Sequence, residues 1–164
     1  MTLTKMQQKI YDTFYEDGNV WVDCPRQSGK TTALVQIASD FVECNKLVAI
    51  KTITEDQFYY FKNKIIDEFK RNPNREMILD FTKIIRFTES PKLGYKLDLL
   101  IGDEVNLSEF SNAKHIACCW TTQKKILRFS FSDMDEPFQD KIIEFSKYMP
   151  KEVFERDYNV GWIK

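Results

Sequence analysis

Residues 20–32 read VWVDCPRQSGKTT and decide how the chain folds. The second half of this stretch, Gly29-Lys30-Thr31, matches the end of the phosphate-loop pattern G-x-x-x-x-G-K-[ST], whereas Cys24 stands where the first glycine belongs. An apolar strand precedes the loop and an amphipathic helix follows it, so that backbone N–H groups and the helix N-terminus point to one spot. The stretch therefore predicts a phosphate site. The plainer alternative is a strand-to-helix turn with an exposed lysine.

Apolar residues recur along the chain at spacings that distinguish helices from strands. Thr4, followed three positions later by Gln7, has the pattern of a capping box, which marks the start of a first helix. Such signals predict helices over residues 4–16, 31–44, 55–71 and 135–149 and strands over residues 19–23, 46–53, 83–89, 96–104, 115–122 and 126–132. Because strands that alternate with helices favour a parallel sheet, we expect an α/β fold. Its central sheet should be mostly parallel, with helices on both faces.

The composition narrows the class of protein. A length of 164 residues suits a single domain. The 24 basic and 25 acidic residues leave a net charge of −1, which argues against a standing basic patch that binds DNA by itself. Four cysteines without a C-x-x-C pair and one histidine argue against structural zinc and favour buried free thiols. No apolar run reaches the roughly 18 residues of a membrane span, so we expect no membrane partner.

A second motif, LDLLIGDE at residues 97–104, is an apolar strand that ends in two carboxylates. Asp103 is expected to hold Mg²⁺ together with the hydroxyl of Thr31, and Glu104 to orient and deprotonate an attacking water. Lys30 would reach the β- and γ-phosphates of the nucleotide. A second acid beside the Mg²⁺ ligand, with no N-K-x-D guanine signature, favours ATP over GTP. The alternative is a surface Asp-Glu pair that merely follows a core strand.

Two weaker signals agree with an ATP site. Gln7 lies upstream of the loop, where its amide could read the adenine edge, although a solvated helix glutamine is an equal alternative. The sequence CWTT ends the strand after the acidic one, and the hydroxyls of Thr121 and Thr122 could sense the γ-phosphate there. Threonines are ordinary in strands, so this pattern alone is not specific.

Together these motifs resemble a known family. CPRQSGKTT, followed by LVQIASDFVECNK, is similar to the ATPase domain of the large terminases of tailed phages, the motors that pump DNA into capsids. In that family an arginine stands three residues before the glycine of the loop, and Arg26 occupies this place. Gln7, LLIGDE, the threonine pair and KEVFERDYNVGW (151–162) extend the resemblance over most of the chain.

The resemblance implies a P-loop NTPase of the ASCE or RecA-like type that needs ATP and Mg²⁺. It implies one ATPase domain over 1–164, with an adenine-binding helix at 1–18, a P-loop core at 19–132 and closing helices at 133–164. Glu104, Lys30 and Arg26 would be catalytic, and Arg86 or Lys92 would act on a neighbouring subunit. The residues expected to bind the nucleotide are Gln7, Pro25, Arg26, Gln27, Ser28, Gly29, Lys30, Thr31 and Thr32.

The implied partners are double-stranded DNA, gripped by a ring of copies that are monomers in isolation, and a capsid portal with a small terminase or a separate nuclease. The implied location is the host cytoplasm, with transient docking on the procapsid.

The chain departs from the family in three ways. It ends at Lys164, so we expect no nuclease; PKLGYK replaces an arginine-glycine pair; and Gln123 follows the threonine pair in place of proline. The rival functions are a helicase-like DNA translocase core and a non-catalytic nucleotide-binding module.

Overall fold

The computed structural model describes residues 2–24, 29–71, 81–87, 97–105, 113–119, 127–129 and 133–153. Within these ranges the helices are α1 (Lys5–Asp17), α2 (Lys30–Glu43), α3 (Glu55–Lys70) and α4 (Glu136–Ser146). The strands are β1 (Asn19–Asp23), β2 (Val48–Lys51), β3 (Ile84–Arg86), β4 (Leu97–Gly102), β5 (Ala113–Cys119) and β6 (Leu127–Arg128). The described elements alternate in the way that the sequence predicts.

The strands form one sheet in the order β3-β2-β4-β5-β1-β6, and every neighbouring pair is parallel. The prediction of an α/β fold with a mostly parallel sheet is confirmed. Since all strands point the same way, the carboxyl ends of β1, β4 and β5 lie along one edge. In open α/β sheets ligands bind outside this carboxyl edge.

The first helix forms for local reasons. The hydroxyl of Thr4 accepts from the N–H of Gln7, while the Gln7 side chain accepts from the N–H of Thr4, so the predicted capping box is present in full. The helix ends at Gly18, whose φ of +78° is the left-handed conformation that favours glycine. Between these ends Met6, Ile10 and Phe14 are buried at four-residue spacing and face the sheet.

The helices α1, α2 and α3 pack on the same face of the sheet, against a core that includes Val22, Ile50, Ile101 and Cys119. The opposite face carries a second buried cluster around Ala49, Leu100 and Cys118. The adjacent thiols Cys118 and Cys119 therefore lie on opposite faces, as the strand pattern predicts. The described residues carry the helical layer of the first face, and the expected layer on the second face stays a prediction.

Several predicted boundaries are wrong. The second strand ends at Lys51 rather than at residue 53, because Thr54 already caps α3 through the N–H of Gln57. The strand expected at 83–89 is reduced to Ile84–Arg86, preceded by a 3₁₀ turn at Phe81–Lys83. The expectation of buried thiols fails for Cys44, which is exposed in the turn after α2. Among the described helices, none combines the length and apolarity that a membrane span needs.

Candidate functional site

The start of α2 lies at the carboxyl edge of the sheet, and α2 is the helix that follows β1 in the chain. Gly29 is the N-cap of α2 and has a φ of +87°, in the left-handed region that glycine adopts without strain. Having no side chain, Gly29 cannot cap the N–H groups of the first turn, which leaves them able to bind an anion. The predicted site residues Pro25, Arg26, Gln27 and Ser28 lie outside the described residues.

Lys30, the first residue of α2, is buried against the acidic pair that follows β4. Its side chain is only 9% exposed, and its Nζ atom lies 3.5 Å from Oε1 of Glu104. Glu104 keeps 28% of its side chain exposed, so its carboxylate can be reached by water. The sequence motifs GKT and DE thus converge on one spot, and the alternative of a turn with an exposed lysine is wrong.

Thr31 and Asp103 form a second contact beside the first. The hydroxyl of Thr31 donates to Asp103, with its Oγ1 atom 3.2 Å from Oδ2 and 3.5 Å from Oδ1. The backbone of Asp103 is held in turn, because its N–H donates to the carbonyl of Lys51 over 3.1 Å. A hydroxyl and a carboxylate that face each other are the hard oxygen donors that Mg²⁺ takes.

The backbone conformation sends the side chains of Asp103 and Glu104 in different directions. Glu104 has a φ of +57°, which is rare for a residue with a Cβ atom and costs on the order of 1–3 kcal/mol when the surroundings enforce it. The turn sends the carboxylate of Glu104 to Lys30 while that of Asp103 meets Thr31. Two neighbouring carboxylates therefore have two different partners.

Burial determines how the acids and the lysine titrate. Burial raises the pKa of Asp103, the charge of Glu104 raises it further, and the Lys30 ammonium opposes both. Burial by itself lowers the pKa of Lys30, but the surrounding groups outweigh it and the net shift is upward. The charges that favour the ammonium at neutral pH are the carboxylates of Glu104 and Asp103. Lys30 is therefore a charged ammonium at neutral pH.

Gln7 lies beside Gly29, the residue that precedes Lys30 and Thr31. Its Nε2 atom donates to the carbonyl of Gly29 over 2.9 Å, and its Oε1 atom accepts from the N–H of Thr4 over 2.9 Å. Only 7% of the residue is exposed, so the alternative of a solvated helix glutamine is wrong. The bond to Gly29 is a contact that the sequence did not reveal.

Sequence reasoning also missed the role of the cysteines. Cys24 and Cys119 are buried on the side of the sheet that faces α2. Burial raises the pKa of Cys119 well above its ordinary value, so this residue stays a neutral thiol. On the other face the thiol of Cys118 donates to the carbonyl of Val105 over 3.3 Å, which anchors the turn that carries the acidic pair.

A cavity of about 620 Å³ opens on the other side of α1, between this helix, β6 and the start of α4. Its volume is within the range of about 300–1,000 Å³ that small-molecule sites occupy. Apolar side chains form part of the wall and charged groups form the rest. The lining residues are Lys5, Met6, Lys9, Leu127, Arg128, Phe129, Asp133, Met134, Asp135 and Glu136.

Other predicted site residues lie apart or outside the described ranges. Thr32 lines a separate cavity of about 450 Å³ between α2 and α3. Arg86 is on the edge strand β3, where its guanidinium lies 3.9 Å from the Glu55 carboxylate and its side chain is 41% exposed. Lys92, Thr121 and Thr122 lie outside the described residues. Within those residues, no group of three or more His, Cys, Asp or Glu side chains could hold a metal ion.

Compared with protein-family models, with curated proteins and with solved structures, the chain matches none. The function of the chain must therefore be inferred from the arrangement of its own residues.

Proposed function

We propose that the chain is an ATPase of the P-loop type, with an ASCE or RecA-like core. One observation carries the proposal: Thr31 meets Asp103 from 72 positions away in the chain, and its neighbour Lys30 meets Glu104. A lysine and a hydroxyl at an uncapped helix start, facing two carboxylates after another parallel strand, supply the groups that phosphoryl transfer from ATP to water needs.

Each residue has a distinct task in this proposal. The Lys30 ammonium, charged and largely shielded from water, would neutralise the β- and γ-phosphates. The oxygens of Thr31 and Asp103 fit Mg²⁺, which when bound would neutralise charge that develops on the phosphates. Glu104, the more exposed carboxylate, would accept the proton of the attacking water.

The order of the strands supports the same class. The strand β5 lies between β1, which leads into the loop, and β4, which ends in the acidic pair. Because β1 and β4 are both parallel to β5, their carboxyl ends lie at the same edge of the sheet, where open α/β folds bind their ligands.

The base and ribose would lie in the cavity between α1 and β6. The cavity adjoins α1, the helix whose Gln7 contacts Gly29. Its wall includes Phe129 and Met134, which offer an apolar surface to a planar base, and its charged residues can bond to the ribose hydroxyls.

We further propose that this ATPase is the motor of a viral DNA-packaging terminase. Arg26 within the loop, the acidic pair and the closing segment at 151–162 support this through their resemblance to that family. The near-neutral charge of the chain fits a motor that grips the DNA backbone through several copies in a ring. Arg86, partly exposed on an edge strand, is available to a neighbouring copy. A portal, and a procapsid in the host cytoplasm, would complete the assembly.

The test is ATP turnover by the purified chain, alone and with double-stranded DNA. Lys30→Ala should abolish turnover, whereas Lys147→Ala, which removes an exposed lysine of the turn after α4, should leave it unchanged. Full turnover in Lys30→Ala would contradict the ATPase assignment. Turnover that DNA does not stimulate, even with portal added, would retain the ATPase and count against the packaging motor.

A further inference from the structure

We propose that Gln7 is a positioning residue of the phosphate loop, which ties the start of α1 to the start of α2 through the carbonyl of Gly29. The adenine-reading role expected for this glutamine is a different one, and it would use amide groups that already bond to Thr4 and Gly29. The inference rests on the proposed function, because the loop is taken to bind phosphate.

The hydrogen bonds of Gln7 show how its amide is used. A glutamine amide has two donors and two acceptor sites. One acceptor site is taken by the N–H of Thr4 and one donor by the carbonyl of Gly29, both over 2.9 Å. Because only 7% of the residue is exposed, the remaining donor and acceptor have little open surface through which to meet a base. Both observed partners belong to the backbone of the protein.

The contact between Gln7 and Gly29 is tight enough to position the loop. A Cβ atom added at Gly29 would lie 2.6 Å from Nε2 of Gln7, which is closer than real contacts of this kind allow. The same carbonyl of Gly29 also accepts from the N–H of Thr32 over 3.1 Å. The bond from Gln7 therefore holds the turn from which Lys30 and Thr31 project.

The cavity assigned to the base lies on another side of α1. It is lined by Lys5, Met6 and Lys9, and among the described residues of its wall Gln7 does not occur. Successive helix residues are turned by about 100°, so the side chain of Gln7 leaves the helix in a different direction from that of Met6. A base in this cavity would not meet the amide of Gln7.

The variant that separates the two roles is Gln7→Glu. Its carboxylate still accepts from the N–H of Thr4, because glutamate serves the capping box as well as glutamine does. It has no hydrogen to donate to the carbonyl of Gly29 and sets a negative charge against it. Gln8→Ala is the matched control, since Gln8 is the neighbouring, exposed glutamine and its side chain donates to Asp12 of the same helix.

The first readout is binding of two ligands in the presence of Mg²⁺, measured by calorimetry on the full chain. Inorganic tripolyphosphate has no base, whereas ATP has one. We expect Gln7→Glu to weaken both by a similar factor of about ten, the usual effect of losing one well-placed hydrogen bond, when binding is measured below the melting temperature that the buried carboxylate lowers. Gln8→Ala should bind like the wild type. Weakened ATP binding with unchanged tripolyphosphate binding would overturn the proposal in favour of base reading.

The second readout does not depend on nucleotide. Amide hydrogen exchange should become faster at residues 29–32 in Gln7→Glu, with no change at residues 8–14 of α1. Unchanged exchange at 29–32 would overturn the positioning role. If the wild type bound neither tripolyphosphate nor ATP, the proposed function would fail, while the exchange would still decide whether Gln7 holds the loop.

Discussion

The ammonium of Lys30 lies 3.5 Å from the carboxylate of Glu104, and this pair joins the first turn of α2 to the turn after β4. The left-handed backbone of Glu104, with a φ of +57°, turns its side chain toward the lysine. A phosphate that binds Lys30 must share the ammonium with Glu104 or displace it. The acid that would activate water is therefore also the group that competes with the substrate for the lysine.

The first prediction concerns Glu104→Gln. An amide cannot take a proton from water, so ATP turnover should fall by at least about 10²-fold. Binding of ADP should not weaken, and should tighten if competition for Lys30 matters, because the neutral amide no longer holds the ammonium. Phosphate release and calorimetry measure the two effects. Glu16→Gln, at an exposed position of α1, is the control; near-normal turnover in Glu104→Gln would remove Glu104 from the mechanism.

The second prediction concerns the pH dependence of stability at Asp103. Burial raises the pKa of this carboxyl, so its contribution to folding is full below the unfolded pKa of about 3.9 and is lost as the pH rises through the folded pKa. Asp103→Asn removes the titrating group and can still accept from Thr31. The variant should be more stable than the wild type at pH 7, by about 0.5–2 kcal/mol, because it removes a carboxylate whose burial opposes its charge.

Urea denaturation at several pH values checks the prediction for Asp103. The advantage of Asp103→Asn should shrink as the pH falls toward 4, where the wild-type carboxyl becomes protonated. Asp140→Asn, at an exposed position of α4, should show no such trend. A variant less stable than the wild type at pH 7 would mean that the charge of Asp103 favours folding, against the direction of its pKa.

The third prediction compares Gly29→Ala with Gly18→Ala. Both glycines have a left-handed backbone, with φ values of +87° and +78°, so each substitution should cost about 1–2 kcal/mol in backbone strain. At Gly18 the nearest atom to a new Cβ is Nδ1 of His115 at 3.4 Å, whereas at Gly29 it is Nε2 of Gln7 at 2.6 Å. Gly29→Ala should therefore cost more than Gly18→Ala.

A double variant separates the backbone strain at residue 29 from the close contact between the new Cβ atom and Gln7. Adding Gln7→Ala to Gly29→Ala removes the atom that the new Cβ meets, so the two changes together should cost less than the sum of their separate costs. Chemical denaturation of the four proteins measures this coupling. Strictly additive costs would mean that the loop moves aside freely and that Gln7 does not hold it.

The fourth prediction concerns Asp40 of α2, which accepts hydrogen bonds from two tyrosines of α1. One carboxylate oxygen of Asp40 accepts from the hydroxyl of Tyr11 over 2.6 Å and from that of Tyr15 over 2.8 Å. Burial and then Asp40 raise the pKa of Tyr11 to about 12, and the pKa of Tyr15 is raised for the same reasons. Since the folded pKa exceeds the unfolded value of about 10, this support is present below pH 10 and is lost as the pH rises through 12.

Replacement of the Asp40 carboxylate tests the contribution of its two hydrogen bonds to tyrosine. Asp40→Asn should bring the titration of Tyr11 closer to pH 10, as followed by the ultraviolet absorbance of the phenolate, with Tyr11→Phe to assign the signal. It should also lower stability at pH 7 by about 1 kcal/mol, because two hydroxyls lose a charged acceptor. Asp56→Asn, at an exposed position of α3, is the control. An unchanged titration would mean that burial alone governs Tyr11.

The features that the sequence predicts correctly are those that depend on near neighbours. The capping box of Thr4 and Gln7 needs residues three positions apart, and the apolar runs that form β1 and β4 are continuous. The motifs that hold Lys30 and Glu104 are also local, since each follows directly from a strand. The α/β class follows from these local signals, because their order along the chain alternates.

The sequence alone determined the residue types of the site, the helix and strand that frame the loop, and the class of fold. Only the tertiary structure decided that β5 lies between β1 and β4, that Thr31 meets Asp103 across 72 positions, and that Gln7 bonds to Gly29 rather than to solvent. The physical reason is the range of the interactions. A cap or an apolar run is stabilised within a few residues, whereas the partner of Lys30 or Gln7 depends on how the whole sheet orders its strands and packs its helices.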